Sequence, residues 1–538
     1  MKNLRLRVIA LLLALMVLLT GCSWRNDSLR LWYTSLTGDL PLVKFADMPY
    51  VRPDIGQLLD YREKCVTLAR DGTDFDALEE NIWKLYDEYY NFSTQYALAD
   101  IYFSGDLTDP YWQEEYNWCM ETAVEVDAAM EDLFFALADS VFRDALERDD
   151  LFGQGFFDGY QGESVWDPEF IAMMEKETAM LEQYYELIQR LYERQKGTEE
   201  YDAAAMELAE LYADLVELRQ RQATYSGYAN YLNFAYTFYY DRDYSPKLEE
   251  LYLSQIQANL VPLYRKIYTS ETYAVYEMVT EQETFQYLKT AAKEMGGTVW
   301  KAFKLLEQGG LYDISYGENK YQASFEVMLM NYYEPFIFMA PAENSYDLLT
   351  FAHEFGHFCG DYASYGALVG VDGAEVQSQG MEYLSLLYGE DTRALTRLKM
   401  VDSLCTYVEQ AAYAAFEQAV YKLHPDDLTG ENIMALFQEI TDSFGFDIWD
   451  ENPNEFVTIG HFFTDPLYIF SYVVSNDAAM QIYQKELEKP GAGLALYEAC
   501  LTSSETDFLA FLASAGLHSP FTHGRLAEVK ETFESILG

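Results

Sequence analysis

Two histidines lie four positions apart, with a glutamate directly after the first, in the segment His353-Glu354-Phe355-Gly356-His357. On a helix, side chains at positions i and i+4 share one face, about 5–6 Å apart, so both imidazoles can reach one cation. Nitrogen ligands favour zinc over magnesium or calcium, and a neighbouring glutamate can take a proton from water bound to the metal. The segment therefore predicts one zinc ion per chain, with His353 and His357 as ligands and Glu354 as a general base for hydrolysis.

The pattern is uncommon in a chain of this composition, which has only six histidines among 538 residues. By chance it would arise on the order of once in a hundred such sequences. The competing interpretation is a pair of histidines packed or solvated on an ordinary helix, and the scarcity of histidine argues against it.

A catalytic zinc site needs a third protein ligand and keeps a further position open for water. The longer pattern His-Glu-x-x-His-x-x-Gly-x-x-His is excluded, because Ala363 stands where its third histidine belongs. Helical periodicity over residues 373–384 predicts a second helix with Glu375, Gln379 and Glu382 on one face. We predict Glu375 as the third ligand, and Glu382 as a residue behind the site that hydrogen-bonds a ligating imidazole.

The residues before the zinc motif mark the start of the helix that must hold it. Asn344 is a capping residue, and Asp347 lies in the predicted first turn. Earlier still, apolar runs at 322–330 and 335–339 are short and bounded by turn formers, so they are predicted to be the two strands of a small sheet. Pro335 lacks the amide that a central strand donates, which favours an edge position for the second strand.

Elsewhere, apolar residues recur mainly every three or four positions, which is the spacing of amphipathic helices. We predict an N-terminal helical domain at residues 51–222 and a catalytic domain at residues 223–538. The predicted fold class is mainly α, with one small β-sheet beside the zinc helix.

The first 22 residues have the pattern of an export signal. A short cationic start is followed by an apolar run over residues 8–19, which is too short to span a bilayer comfortably because a spanning helix needs about 20 residues. The run ends in Leu19-Thr20-Gly21-Cys22, which resembles the bacterial lipoprotein box and implies a lipid attached to Cys22. We expect a signal peptide at residues 1–21, a lipidated cysteine with a tether at residues 22–50, and a location outside the cytoplasmic membrane. A plain secretory signal with an incidental cysteine is the alternative.

Composition limits the partners of the main body. Acidic residues outnumber basic ones 89 to 36, giving a formal net charge of −53. Such a body repels nucleic acid and anionic lipid headgroups, so we expect no nucleic-acid partner and membrane contact through the lipid anchor only. The cysteines after Cys22 are scattered singly, without the paired spacings of a disulfide scaffold or a thiolate zinc site.

Several tracts of the chain resemble the family of oligoendopeptidase F and thimet oligopeptidase. They are the zinc motif at 353–357, the downstream tract 374–382, the later tract 461–472, and the segment 219–231, which is similar to the family's entry into its catalytic domain. The resemblance covers most of the chain after Cys22. It implies a mainly helical, two-lobed metallopeptidase whose deep channel admits short peptides and excludes folded proteins.

The resemblance also assigns roles within the later tract. His461 and Tyr472 are implied to donate hydrogen bonds to the oxyanion that forms during peptide hydrolysis, with Tyr468 as a further candidate. One such donor stabilises the developing charge by about 3–4 kcal/mol. The family often has another tyrosine where this chain has Phe470, so the assignment of individual phenols stays open. The chain has 46 tyrosines, and core or rim packing is the alternative role.

Taken together, these residues predict a zinc-dependent endopeptidase that cuts short peptides. An extended peptide is expected to pair with the strand before the zinc helix, formed by Phe336, Ile337, Phe338 and Met339. The alternatives are a lipoprotein that binds peptides for an importer, and a homologue that binds peptides without cutting them. The intact metal and base residues argue against both.

Overall fold

The computed structural model describes residues 42–148, 151–153, 155–160, 168–269, 276–364, 366, 369–390, 392–448 and 453–538. The predicted signal peptide and the predicted lipidation site at Cys22 lie outside these residues. Within the described ranges, no helix is both long and apolar enough to cross a membrane.

Four helices of the N-terminal part pack around a hydrophobic core of their own. They are α1 (Gly56–Asp71), α2 (Phe75–Gly105), α3 (Pro110–Ala138) and α4 (Arg143–Leu146). Asp74 caps α2 by accepting a hydrogen bond from the amide of Ala77. Asp109 caps α3, whose first residue is Pro110, a position where a helix does not need the missing amide. The last turns of α2, around Leu98 and Ile101, enter a second core.

The second and larger core contains the remaining helices. They are α5 (Pro168–Tyr192), α6 (Glu199–Tyr225), α7 (Tyr231–Phe238), α8 (Pro246–Asn259), α9 (Val261–Tyr268), α10 (Glu281–Met295), α11 (Gly297–Gly309), α12 (Tyr346–Ser364), α13 (Val371–Tyr388), α14 (Arg393–Cys405), α15 (Ala411–Val420), α16 (Gly430–Ser443), α17 (Gly460–Thr464), α18 (Phe470–Glu488), α19 (Ala492–Leu501), α20 (Phe508–Ala515) and α21 (Arg525–Leu537). α5 and most of α6 precede residue 222, yet these helices bury Leu181 and Leu208 in this core. The predicted domain boundary at 222 stays a prediction.

The part of the chain that the structure describes has a single three-stranded sheet, which lies next to α12. Its strands are β1 (Tyr312–Asp313), β2 (Phe325–Leu329) and β3 (Glu334–Phe338), in the order β1-β3-β2. β1 runs parallel to β3, and β2 runs antiparallel to it with Phe325 opposite Phe338. The predicted mainly helical fold with one small sheet is therefore confirmed, while β1 is too short to leave a sequence pattern.

β3 is the central strand, so the prediction that it has a free edge is wrong. The amides of Ile337 and Met339 donate to the carbonyls of Leu311 and Asp313 on one side, and β2 pairs along the other side. Proline is tolerated at position 335 although β3 is central. Its nitrogen faces the same side as the amides of Ile337 and Met339, but β1 pairs with β3 only from Ile337 onward, so no hydrogen bond is lost at Pro335.

The assignment of this strand to substrate pairing is corrected for the same reason. The residues concerned are Phe336, Ile337, Phe338 and Met339, all of which are buried. Their backbone groups are engaged within the sheet, so an incoming peptide has no ladder of free groups to pair with there.

Candidate metal centre and active site

Helices α12 and α13 approach each other closely because two glycines face the second helix. A Cβ atom added to Gly356 would lie 2.5 Å from the carbonyl oxygen of Gln377 and from the Cα atom of Ser378. A Cβ atom added to Gly360, one turn later, would lie 2.1 Å from Oε1 of Gln377. Real Cβ atoms do not make such contacts. Glycine at 356 therefore permits the backbone of α13 to pass beside the zinc motif, and glycine at 360 leaves room for the side chain of Gln377.

This close packing brings the three predicted metal ligands together. The side chains of His353, His357 and Glu375 offer ligand atoms that all lie within 4.8 Å of one another. The two imidazole rings are 5.1 Å apart between centroids, and Nε2 of His353 is 3.6 Å from Oε2 of Glu375. Within the described ranges, this is the only group of three such residues close enough to hold one metal ion. Two nitrogens and one carboxylate are a donor set that fits catalytic zinc.

Glu382 lies two turns after Glu375 on α13 and contacts the first histidine. Its Oε1 atom is 2.9 Å from Nδ1 of His353. A carboxylate can only accept this hydrogen bond, so Nδ1 donates and Nε2 faces Glu375. The other oxygen of Glu382 is 2.7 Å from Nζ of Lys399, a buried lysine of α14 that sequence reasoning missed.

The pKa values of the two histidines are shifted in opposite directions. Burial and the neighbouring positive charge of His353 lower the pKa of His357 to about 4, against the opposing effect of Glu375. Burial also opposes protonation of His353, but the hydrogen bond that His353 donates to Glu382 and the charge of Glu375 raise its pKa to about 9. A dense group of carboxylates thus surrounds His353 and makes the site attractive to a cation.

Glu354 is the buried carboxyl group of the zinc motif, with only 7% of the residue exposed. Burial raises its pKa to about 7, and the charges of Glu375 and Glu382 act in the same direction against that of His353. A carboxylate with a pKa near neutrality can both accept a proton and return it at physiological pH. This is the property that a general base needs when it must also act as a general acid.

The predicted oxyanion donors form a cluster that contacts the metal centre through Tyr468. The hydroxyl of Tyr472 is 3.4 Å from Nε2 of His461, and the rings of His461 and Tyr468 are 5.8 Å apart between centroids. Tyr468 donates a hydrogen bond of 3.2 Å to Oε1 of Glu375. Burial, followed by the charge of Glu375, raises the pKa of both phenols, so both stay protonated and able to donate.

Sequence reasoning missed an acidic pair beside Glu354. Asp361 lies seven positions after Glu354 on α12, a spacing that returns to the same helix face. Burial, followed by the charges of Asp361 and Glu354, raises the pKa of Glu326 on β2 well above its usual range. Helical spacing could have predicted that Asp361 lies near Glu354, whereas no sequence pattern predicts that β2 brings Glu326 to the same place.

Comparison with known proteins places this geometry in context. Residues 45–163 match the family model described as the Peptidase M3 N-terminal domain. A search of curated proteins found no match to the chain. The resemblance to the oligoendopeptidase family is confirmed by that model together with the solved structures that share the fold.

Three solved structures illustrate the shared fold. One named as an oligoendopeptidase F has a TM-score of 0.77 at 23% identity, covering 92% of this chain and 98% of that chain. PZ peptidase A, solved with an inhibitor, has a TM-score of 0.76 at 19% identity, covering 92% and 99%. Metallocarboxypeptidase 1 of Trypanosoma cruzi is more distant, with a TM-score of 0.59 at 14% identity, covering 88% and 99%.

Proposed function

Because the chain combines the fold of these peptidases with the N-terminal family model of Peptidase M3, we propose that it is a zinc-dependent endopeptidase that hydrolyses short peptides. The observation that carries the proposal is the convergence of His353, His357 and Glu375, with ligand atoms within 4.8 Å of one another. Glu354 beside them supplies the base that hydrolysis requires. A peptide-binding protein has no use for this combination.

Bound zinc would polarise the scissile carbonyl and make water a better nucleophile at neutral pH. The chain's own residues then divide the remaining work. Glu354 takes the proton from the attacking water and delivers it to the leaving amine. His461 and Tyr472 donate hydrogen bonds to the oxygen on which negative charge develops. Tyr468, through its contact with Glu375, holds that carboxylate in place.

The outer edge of β2 is the backbone edge that we propose for substrate pairing. β2 pairs with β3 on one side, and its other edge has no strand partner in the described part of the chain. An extended peptide can add to such an edge through main-chain hydrogen bonds, which are largely indifferent to side-chain identity. This proposal replaces the buried strand β3, and pairing of this kind would admit peptides of varied sequence.

The function is tested by incubating the purified protein with a mixture of short peptides and identifying the products by mass spectrometry. Internal cleavage that stops with a chelator and returns with zinc supports a zinc endopeptidase. Stepwise loss of C-terminal residues would instead indicate a carboxypeptidase, as in the more distant structural relatives. Binding without cleavage after zinc is restored would contradict the proposal and favour a peptide-binding lipoprotein or an inactive homologue.

The catalytic base is tested separately with Glu354→Gln, which should retain zinc and lower hydrolysis by on the order of 10²- to 10⁴-fold. Glu115→Gln is a matched control, because Glu115 on α3 is similarly buried but pairs with Arg52, outside the zinc site. Near-normal turnover of Glu354→Gln would reject Glu354 as the base.

We also propose that Cys22 carries a lipid that anchors the enzyme at the outer face of a bacterial membrane. The support is the sequence pattern that ends at Cys22. Expression with a radiolabelled fatty acid, followed by membrane fractionation, tests it. The wild type should take up label and sediment with membranes, and Cys22→Ala should do neither. An unlabelled wild type would contradict the anchor.

A further inference from the structure

The residues that carry the predicted oxyanion donors form a segment at 461–472, here called the donor segment. It consists of the short helix α17, a turn, and the start of α18. One side of this segment carries His461 and Tyr472. Its backbone is bonded by buried polar side chains that belong to distant parts of the chain.

Arg219 of α6 makes the most extensive of these contacts. It is fully buried, with 0% of the residue exposed. Its Nη1 atom donates to the carbonyl of Phe462 at 3.1 Å, and Nη2 donates to the carbonyl of Phe463. Its Nε atom is 2.7 Å from Oε1 of Glu177 on α5, which balances the buried charge.

These two carbonyls are groups that α17 cannot satisfy by itself. The last four carbonyls of a helix have no partner within it, and α17 has only five residues. The carbonyl of His461 still receives the amide of Asp465, whereas those of Phe462 and Phe463 receive the guanidinium of Arg219. Arg219 therefore caps the C-terminal end of α17, the short helix that contains His461.

The rest of the donor segment is held in the same manner. Tyr240 donates its hydroxyl to the carbonyl of Pro466 at 2.8 Å. The amide of Leu467 donates to Oε1 of Glu417 at 2.7 Å. Leu467 also has a φ of 69°, in the left-handed region. A non-glycine residue adopts this conformation only when its surroundings enforce it. Arg242 donates to Oγ of Ser471 at 2.9 Å.

We propose that Arg219 is a positioning residue that fixes His461 at the active site through the backbone of the donor segment. The inference rests on the proposed peptidase function, in which His461 acts on the developing oxyanion. A lysine cannot replace Arg219, because its single ammonium group cannot reproduce the planar fork that reaches both carbonyls and Glu177. The hydrogen bonds of Arg219 go to Glu177, Tyr421 and the carbonyls of Phe462 and Phe463, none of which is a predicted metal ligand.

The direct test observes His461 rather than turnover. The chain has only six histidines, so labelling the imidazole carbons gives a small set of NMR signals, and the His461 signal is assigned from its absence in His461→Ala. In Arg219→Lys we expect that signal to shift or broaden while the signals of His424, His518 and His523 stay in place. Arg525→Lys is the matched control, since Arg525 is a buried arginine that pairs with Asp477 of α18 at 2.8 Å and makes its hydrogen bonds to residues outside the donor segment. It should leave the His461 signal unchanged.

The kinetic test asks whether Arg219 acts through His461. We expect Arg219→Lys to lower kcat by on the order of 10- to 100-fold with little change in KM, the effect of a small misplacement of a reacting group. In a His461→Ala background the same substitution should cause no further loss. Equal losses in both backgrounds, or an unchanged His461 signal, would overturn the proposal.

If Arg219→Lys does not fold, Glu177→Gln tests the same arrangement, because it removes the charge that holds Nε of Arg219 while keeping an acceptor oxygen. It should shift or broaden the His461 signal, and an unchanged signal would overturn the proposal. The NMR result is independent of activity. Absence of peptide hydrolysis by the wild type would therefore refute the proposed function, while the His461 signal would still decide the role of Arg219.

Discussion

Glu382 accepts a hydrogen bond of 2.9 Å from Nδ1 of His353, and this contact fixes which nitrogen of that imidazole faces the metal site. Nε2 is thereby directed at Glu375, 3.6 Å away. Burial opposes the ionisation of Glu382, but its pKa is lowered by the nearby charge of Lys399 and by the His353 hydrogen bond. The ligand geometry thus depends on an ionised carboxylate that does not itself belong to the ligand set.

Glu382→Gln should weaken zinc binding by about 10- to 100-fold, because the amide no longer favours the proton on Nδ1 or raises the basicity of Nε2. Competition against a fluorescent chelator measures the zinc dissociation constant. Glu115→Gln is the control for loss of a buried carboxylate. Unchanged zinc affinity in Glu382→Gln would show that Glu382 has no influence on the metal site.

Gly356→Ala should loosen the site by forcing α12 away from α13, because the added methyl group meets the backbone of Gln377 and Ser378 at 2.5 Å. Overpacking of this kind costs about 1–3 kcal/mol in the free energy of unfolding, and zinc affinity should fall as the histidines move from Glu375. Gly105→Ala is the control, since nothing lies within 4 Å of a Cβ atom there. Urea denaturation and chelator competition measure both effects, and a fully stable, zinc-competent Gly356→Ala would contradict the packing argument.

The two tyrosines of the donor segment should have separable effects. Tyr472→Phe removes a predicted oxyanion donor and should lower kcat by on the order of 10²- to 10³-fold without weakening zinc binding. Tyr468→Phe removes the hydrogen bond to Glu375 and should weaken zinc binding. Steady-state kinetics at saturating zinc, together with zinc titration, distinguish the two. The reverse pattern would exchange the roles assigned to these phenols.

Stability should depend on pH through Glu417. Burial raises its pKa to about 8, against the lowering effect of the Leu467 amide and of Arg219. The folded state therefore holds a proton that the unfolded state releases at lower pH, since an unperturbed glutamate has a pKa of about 4.3. The contribution of this group is greatest below that value and is lost as the pH rises towards about 8.

Glu417→Gln abolishes the titration while keeping an acceptor for Leu467. Relative to the wild type, its free energy of unfolding should rise as the pH increases from 5 to 8. Urea denaturation at several pH values measures the difference, with exposed Glu217→Gln as a control. A difference independent of pH would show that Glu417 does not retain its proton in the folded protein.

The sequence was sufficient for the helical fold and for the grouping of His353, His357 and Glu375, because helical spacing and metal chemistry constrain those residues strongly. It was insufficient for β3, since Pro335 indicated an edge and the two-residue strand β1 that covers it has no pattern of its own. The sequence did not predict a role for Lys399 or Arg219, because a basic residue in a helix is normally expected to be exposed to solvent. Their burial is decided by partners on helices far away in the chain.

The most direct test of the account is anomalous X-ray scattering at the zinc edge from crystals of the zinc-loaded protein. The account predicts one peak per chain, at about 2.0–2.2 Å from Nε2 of His353, from an imidazole nitrogen of His357 and from a carboxylate oxygen of Glu375. A peak elsewhere, or a zinc ion bound by the histidines while Glu375 points away, would contradict it.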